Sequence, residues 1–173
     1  MSVRLTSVLL SAWLGAAVLF ATVVAPAAFA VLPSRLLAGA LVGRVLPVVF
    51  VSGIAVAAAS LVIDRHGGGV LPNVRRAAMV LIVVACAVAQ FGIAPRIERV
   101  RNQIEGPIEQ LARDDPRRVA FGRLHAISVG WLGLAMVAAA STIALGSRSP
   151  RTGVSRANSS ATVQTETVTS AIR

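Results

Sequence analysis

The stretch LTSVLLSAWLGAAVLFATVVAPAAFAVLPS, residues 5–34, contains no charged side chain. Three further uncharged runs follow at residues 45–63, 77–95 and 124–147, and the only titratable side chain in the last is His125. About 20 consecutive apolar residues are enough for a helix to cross the hydrocarbon core of a bilayer. The four runs therefore predict four membrane-crossing segments.

The composition favours a membrane protein over a water-soluble one. Of the 173 residues, 55% are hydrophobic and only 14% are charged, and the mean hydropathy is +0.76. Backbone groups in lipid must be paired within their own segment, and these runs are too long for barrel strands, so each crossing must be a helix. We expect an all-α integral membrane bundle of four antiparallel transmembrane helices at about residues 5–32, 38–63, 75–95 and 117–146.

A removable signal sequence is the alternative interpretation of the first run. Ala28-Phe29-Ala30 resembles an A-x-A cleavage site that follows an apolar stretch. Signal peptides have an apolar stretch of about 7 to 15 residues, whereas this one continues from Leu5 to Ala25. We therefore interpret the run as the first transmembrane helix.

The segment between the third and fourth runs is predicted to be an amphipathic extension. Its apolar residues recur every three or four positions, as in a helix with one apolar face: Ile97, Val100, Ile104, Ile108 and Leu111. Glu98 and Arg101 have the spacing of a surface ion pair. Asp115-Pro116 has the pattern of an N-cap followed by proline at the first helical position, so helix four should begin there.

Residues 1–146 thus form the predicted transmembrane domain, and residues 147–173 form a tail rich in Ser, Thr and Arg. The tail has almost no large apolar residues with which to build a core, so we predict that it is disordered. With four antiparallel crossings, the N-terminus, the loop at residues 64–76 and the tail share one end of the bundle, called face A. The region of Arg35 and the segment at residues 96–123 share the other end, called face B.

The charge balance points to lipid as the partner. The formal net charge is +10, and all 17 basic residues are arginine, a bias that suggests a bacterium with a GC-rich genome. The arginines flank apolar helices, which suits anionic lipid headgroups better than nucleic acid. Arginine is distributed almost evenly between the two faces, and the first helix favours cytoplasmic termini in an inner (plasma) membrane.

Polar residues that are costly in lipid collect at face B. They come from helices two, three and four, and they form the candidate site: Arg44, Gln90, Arg96, Glu98, His125 and Ser128. One interpretation is a polar pocket at the membrane boundary, in which His125 changes charge near neutral pH. The other is structural, because arginines near helix ends usually extend to the headgroups and a histidine there usually bonds a neighbouring helix.

The sequence contains no motif for an enzyme or a metal centre. It lacks GxSxG, HExxH and Walker patterns and has one cysteine, Cys86, so a CxxC-type site is excluded. His66 is predicted at face A and His125 at face B, about 30 Å apart, so the two cannot share one haem or metal ion within a chain. Only a homodimer that pairs two copies of His125 would permit such a site.

Small residues and tryptophans predict close helix packing. Gly39-xxx-Gly43 and Gly53-xxx-Ala57 are small-xxx-small patterns, which we interpret as packing surfaces within the bundle, with homodimerisation as the alternative. Trp13 and Trp131 lie near mid-membrane, where each indole N–H is expected to bond a neighbour.

The chain also resembles the transmembrane-protein-205-like family of small four-helix membrane proteins over residues 8–145. The resemblance rests on Trp13-Leu14-Gly15, Val24-Ala25-Pro26 with Phe29, Ala38-Gly39 to Gly43-Arg44 with Pro47, Pro95-Arg96-Ile97 to Arg101, and Phe121-Gly122-Arg123-Leu124-His125 with Ser128. The family often has glycine where this chain has Ala126. The resemblance implies a four-helix membrane domain with no settled activity and no catalytic residues.

Two functions remain compatible with the sequence. The first is a non-enzymatic bundle that binds an unknown small molecule, assists transport or acts as a scaffold, with no cofactor. The alternative is a redox or metal-handling module similar to copper-resistance-D-type membrane proteins, with His125 serving haem or copper.

Overall fold

The computed structural model describes residues 2–64, 70–104, 106 and 108–147, and every regular element in that part of the chain is helical. The α-helices are α1 (Ser2–Leu19), α2 (Ala25–Val31), α3 (Arg35–Ile63), α4 (Val70–Ala87), α5 (Ala94–Asn102) and α6 (Pro116–Ser147). A π turn, Phe20–Val24, joins α1 to α2, a second, Val88–Ile93, joins α4 to α5, and a short 3-10 helix, Ile108–Gln110, precedes α6. The predicted all-helical class is confirmed.

Four continuous helical stretches are long and apolar enough to cross a membrane. They are Arg4–Val31, Arg35–Ile63, Leu71–Asn102 and Pro116–Gly146, called the first to fourth spans. Their most apolar windows have mean hydropathies between 1.8 and 2.4, so the prediction of four apolar spans is confirmed. The predictions for His66 and for the tail after residue 147 lie outside the described residues.

Each π turn lies just before a proline. Pro26 is the second residue of α2, and Pro95 is the second residue of α5. Proline has no N–H to donate, and its ring clashes with the carbonyl four residues earlier. At Pro26 and Pro95 the helix continues through a widened preceding turn, whereas α3 continues past Pro47 without one. The third span therefore runs on past Pro95 to Asn102. Glu98 and Arg101 therefore belong to the same continuous helical span as Gln90.

The core holds α1 tightly against α3. The Trp13 indole Nε1 donates a 3.0 Å hydrogen bond to the Val49 carbonyl, as predicted. A Cβ at Gly53 would lie only 2.8 Å from Cε2 and Cζ2 of that indole, so the ring rests on bare backbone. Ala57, one turn further along, is fully buried. Trp131 is half-buried, and its indole N–H makes no hydrogen bond within the described part of the chain.

At face A, a nearly buried ion pair joins the end of α3 to the beginning of α4. Arg75 Nη2 lies 3.2 Å from Asp64 Oδ2, and the two side chains are 8% and 11% exposed. The contact lacks the angles of a hydrogen bond, since both atoms have no hydrogen-bond partner among the described residues. Arg76 Nη2 also donates to the Asp64 carbonyl at 3.0 Å. Charge therefore holds the two helix ends together.

Two arginines of α6 hold the segment between α5 and α6 through hydrogen bonds. Asp115 Oδ1 accepts a 2.9 Å bond from the Arg117 N–H, which confirms the predicted N-cap of α6. Arg117 also donates to the Gln103 carbonyl at 3.2 Å, and Arg118 donates to the Leu111 carbonyl at 2.7 Å. Gly106 has φ +100°, a conformation that other residues rarely adopt. These bonds fix the path of the connection.

Replacement of Asp115 should change the acid response of the fold. Hydrogen bonds from the Arg117 side chain and backbone lower the pKa of the Asp115 carboxyl from 3.8 to about 2. A carboxyl with a pKa lowered by folding stabilises the fold above its unfolded pKa, and this contribution is lost as the pH falls from about 4 towards 2. We expect Asp115→Asn, which keeps a capping oxygen, to flatten the dependence of Tm on pH in that window. Asp115→Ala should lower Tm further at neutral pH, because it also removes the cap.

Thermal unfolding followed by circular dichroism measures both effects. They should be small, because solvent screens this ion pair. An Asp115→Asn variant with the pH slope of the unmodified protein would contradict the assignment.

Candidate functional site

A cavity of about 900 Å³ lies at face B, between the beginning of α3 and the segment made by α5 and the beginning of α6. It exists because α3 packs along α4 and touches the second π turn but makes few close backbone approaches to α5. Pockets for small molecules usually enclose about 300–1,000 Å³. The cavity therefore has the size of a ligand site.

The structure brings four of the six predicted site residues to this cavity. Gln90, Glu98, His125 and Ser128 line it. Arg44 and Arg96 are exposed and do not line it. Consecutive residues on a helix point about 100° apart, so Arg44 turns away from the cavity although its neighbour Gly43 faces it.

The inner polar groups of the cavity come from Gln90 and Ser128. Gln90 belongs to the second π turn, and its Oε1 is buried without a hydrogen-bond partner among the described residues. Ser128, on α6, is only 2% exposed. Buried polar atoms in folded proteins nearly always have a partner, from protein or water. The Gln90 acceptor is thus left unsatisfied by the described residues.

Arg101 is a lining residue that the sequence pattern had assigned to a surface ion pair. Its guanidinium lies along α3, where Nη2 is 3.5 Å from the Leu36 carbonyl. It forms no ion pair with Glu98 within 4 Å in the described part of the chain, although both side chains line the cavity. The surface-pair interpretation is therefore wrong for these two residues.

The Gly39-xxx-Gly43 pattern also has a different role from the predicted one. A Cβ on Gly39 would lie 3.9 Å from Arg101 Nη2, and a Cβ on Gly43 would lie 3.6 Å from Nη1. The two glycines face the cavity and the guanidinium rather than the backbone of a neighbouring helix. The absence of side chains here lets Arg101 lie close against α3. No pattern in the sequence indicates this pairing, because Arg101 and the two glycines lie on different spans.

An aromatic pair on α6 orients the only described histidine. The rings of Phe121 and His125 are stacked, with centroids 6.2 Å apart and planes inclined by 4°. Both line the cavity, and the imidazole is exposed towards it. The stack holds the ring in one plane, so its nitrogens can donate or accept hydrogen bonds in fixed directions.

The lining combines positive charge with apolar walls. Among the described lining residues, Arg35 and Arg101 outnumber the one carboxylate, Glu98, and apolar surface comes from side chains such as Val42 and Leu46. Within the described residues, no group of three or more His, Cys, Asp or Glu side chains could hold a metal ion. The one cysteine, Cys86, is buried in the core away from the cavity. The arrangement is suited to binding an amphipathic molecule.

Comparison with known proteins gives one match. A family model described as a domain of unknown function (DUF4149) matches residues 8–106. The matched region includes Gln90, Glu98 and Arg101 and ends before α6, which carries His125 and Ser128. No curated protein and no solved structure matches the chain.

Proposed function

This chain belongs to the DUF4149 family, a domain of unknown function, and from that premise we propose that it is a non-enzymatic membrane protein that binds a small molecule in the face B cavity. The observation that carries the proposal is the cavity of ligand size, whose lining includes Gln90, a residue with a buried side-chain oxygen, Oε1, that has no partner among the described residues. A polar group left without a protein partner is costly unless another molecule bonds it. The transport-related and scaffold roles are variants in which the bound molecule is moved or recruits a partner.

The proposal includes the arrangement of the protein in its membrane. We place the four spans antiparallel, which is supported by the Asp64–Arg75 pair at one end and by the contact of Arg101 with the Leu36 carbonyl at the other. We place the protein in a bacterial inner membrane with both termini in the cytoplasm and with arginines against anionic headgroups. The segment of residues 96–111, with its apolar residues at helical spacing, is proposed to lie at the boundary as the amphipathic extension.

The resemblance to the transmembrane-protein-205-like family belongs to the same proposal. Most of the residues that carry it fall inside the matched region, including Trp13, Gly43 and Arg101. The segment from Phe121 to Ser128 lies beyond that region and contributes two polar side chains to the cavity. The residues that carry the resemblance thus include residues of the proposed site.

Filling the cavity should abolish binding. Gly43 lies in the wall, where a Cβ would already lie 3.6 Å from Arg101 Nη1, so Gly43→Leu inserts an apolar side chain that displaces both the Arg101 guanidinium and any ligand. We expect the variant to bind tritiated palmitate and tritiated hexadecanol at least about tenfold more weakly than the unmodified protein, since about 1.4 kcal/mol of lost interaction has that effect. Scintillation proximity on protein purified in a neutral detergent measures both affinities.

The matched control is Gly130→Leu, because Gly130 is exposed and a Cβ there meets nothing within 4 Å. It should bind both probes as the unmodified protein does. Failure of the unmodified protein to bind either probe, or equal binding by Gly43→Leu, overturns the proposal. A Soret band or stoichiometric copper that is lost in His125→Ala would instead establish the redox or metal alternative.

A further inference from the structure

The outer part of the cavity carries an excess of positive charge. Arg35 begins α3 and Arg101 lies in the last turn of α5, so both guanidiniums stand where the spans end. His125 and Glu98 are the only other described titratable groups in the lining. No ion pair joins Glu98 to either arginine within 4 Å in the described part of the chain. Within the described lining, two guanidiniums and one carboxylate therefore leave a net positive charge.

Arg101 has most of its hydrogen-bonding capacity unused. A guanidinium has five N–H donors in a planar fork, and the only acceptor for Arg101 among the described residues is the Leu36 carbonyl at 3.5 Å. That distance is beyond the usual range of 2.7–3.2 Å for an N–H···O bond, so the interaction is weak. The remaining donors have the geometry that binds carboxylate or phosphate through two parallel bonds.

An apolar stripe leads inward from this charged end. Val42, Leu46 and Phe50 line the cavity at successive spacings of four residues along α3, so they lie on one face of the helix. The stripe is about 12 Å long at 1.5 Å per residue, and Phe50 at its inner end is 1% exposed. Ile97 and Ile104 add apolar surface from the opposite side. A molecule that fits both features has a charged head and an apolar body.

We infer that the cavity binds an amphipathic organic anion, with its carboxylate or phosphate head held by Arg101 and its apolar body along Val42 and Leu46, towards the buried Phe50. This inference rests on the proposed function and specifies its ligand class. Free fatty acids and anionic membrane lipids share this chemistry, and both reach a cavity at the membrane boundary. Arg101 is then the residue that separates anions from neutral molecules of the same shape.

The test compares one charged and one neutral probe of equal chain length. In a neutral detergent, Arg101→Gln should bind tritiated palmitate about tenfold more weakly, since a bidentate charge-assisted pair is lost, and should bind hexadecanol unchanged. Arg101→Lys should retain part of the palmitate affinity, because it keeps the charge but not the fork. The matched control is Arg99→Gln, which makes the same change two residues away on α5 at an exposed position outside the cavity lining.

The outcomes separate this inference from the proposed function. Binding of both probes with no effect of Arg101→Gln overturns the anion assignment and leaves a ligand-binding bundle. Loss of both probes in Arg101→Gln, with an unchanged Tm, assigns the residue to the shape of the cavity and also overturns it. Binding of neither probe by the unmodified protein overturns both proposals. A competition experiment then identifies the source of the anion. If unlabelled phosphatidylglycerol displaces tritiated palmitate more strongly than unlabelled palmitate does, the ligand is a membrane lipid. The reverse order identifies a free fatty acid, and either order supports the inference.

Discussion

Asp64→Ala is expected to destabilise the protein by about 3–5 kcal/mol, the range measured when one partner of a buried ion pair is removed. Arg75 is nearly buried, and its Nε and Nη2 have no hydrogen-bond partner among the described residues. Asp64 supplies the negative charge nearest to it, 3.2 Å away. Without that carboxylate, the Arg75 guanidinium either stays buried without a counter-ion or reaches water by displacing the beginning of α4. Both alternatives destabilise the fold.

Unfolding in mixed micelles with an increasing fraction of dodecyl sulfate, followed by circular dichroism, measures the loss. The matched control is Asp114→Ala, because Asp114 is exposed and forms no ion pair in the described part of the chain. The double variant Asp64→Ala with Arg75→Met should regain most of the stability, since a buried pair can often be replaced by apolar residues without loss. A single variant as stable as the control would show that Arg75 does not depend on Asp64.

Gly53→Ala is expected to destabilise the protein by about 1–3 kcal/mol, even though alanine is the better helix former by about 1 kcal/mol. The new methyl would lie 2.8 Å from the Trp13 ring and 2.9 Å from its Nε1. The indole would have to move, and its 3.0 Å bond to the Val49 carbonyl would stretch or break. Crowding and an unpaired N–H together exceed the gain in helix propensity.

Gly130→Ala gives the opposite result in the same assay. A Cβ on Gly130 meets nothing within 4 Å, so only the helix propensity changes and the protein should gain stability. Trp13→Phe should be destabilising alone but should reduce the cost of Gly53→Ala, because the smaller ring leaves room for the methyl. Additive effects of the two changes would mean that the ring and the glycine are not in contact.

The four spans and the start of α6 could be predicted because each depends on a local property of the sequence. An uncharged run of sufficient length must be helical in lipid, whatever its neighbours are. Asp115 caps its own helix through the N–H two residues later, so its role also follows from spacing alone. The same reasoning predicted that four polar residues lie at one end of the bundle: Gln90, Glu98, His125 and Ser128. Each lies near the face B end of its span, so adjacent helices of similar length bring these residues to a similar depth.

The direction of each side chain could not be predicted in the same way. Arg96 was placed in the candidate site and Arg101 on the surface, whereas Arg101 lines the cavity and Arg96 does not. The two arginines lie at similar depths near the end of the third span, so distance from the helix end does not tell them apart. The helical period counted from Gln90 places Glu98 and Arg101 on one face and Arg96 on another, but only the structure shows which face of the span the cavity adjoins. The contact between Gly39 and the Arg101 guanidinium was also not predicted. A GxxxG pattern looks the same in the sequence whether the glycines face a neighbouring helix or an arginine side chain.

The two π turns also divide the cavity walls mechanically from the core. Phe29 on α2 and Arg101 on α5 both line the cavity, and each belongs to a short helix joined to its longer partner through a π turn. A helix bends most readily where its regular ladder of hydrogen bonds is interrupted. The two short helices are thus joined to the bundle at the positions where bending is easiest, whereas Trp13 and its neighbours lie in the packed core. A tilt of either short helix would change the volume and opening of the cavity and leave the contact of Trp13 with α3 as it is.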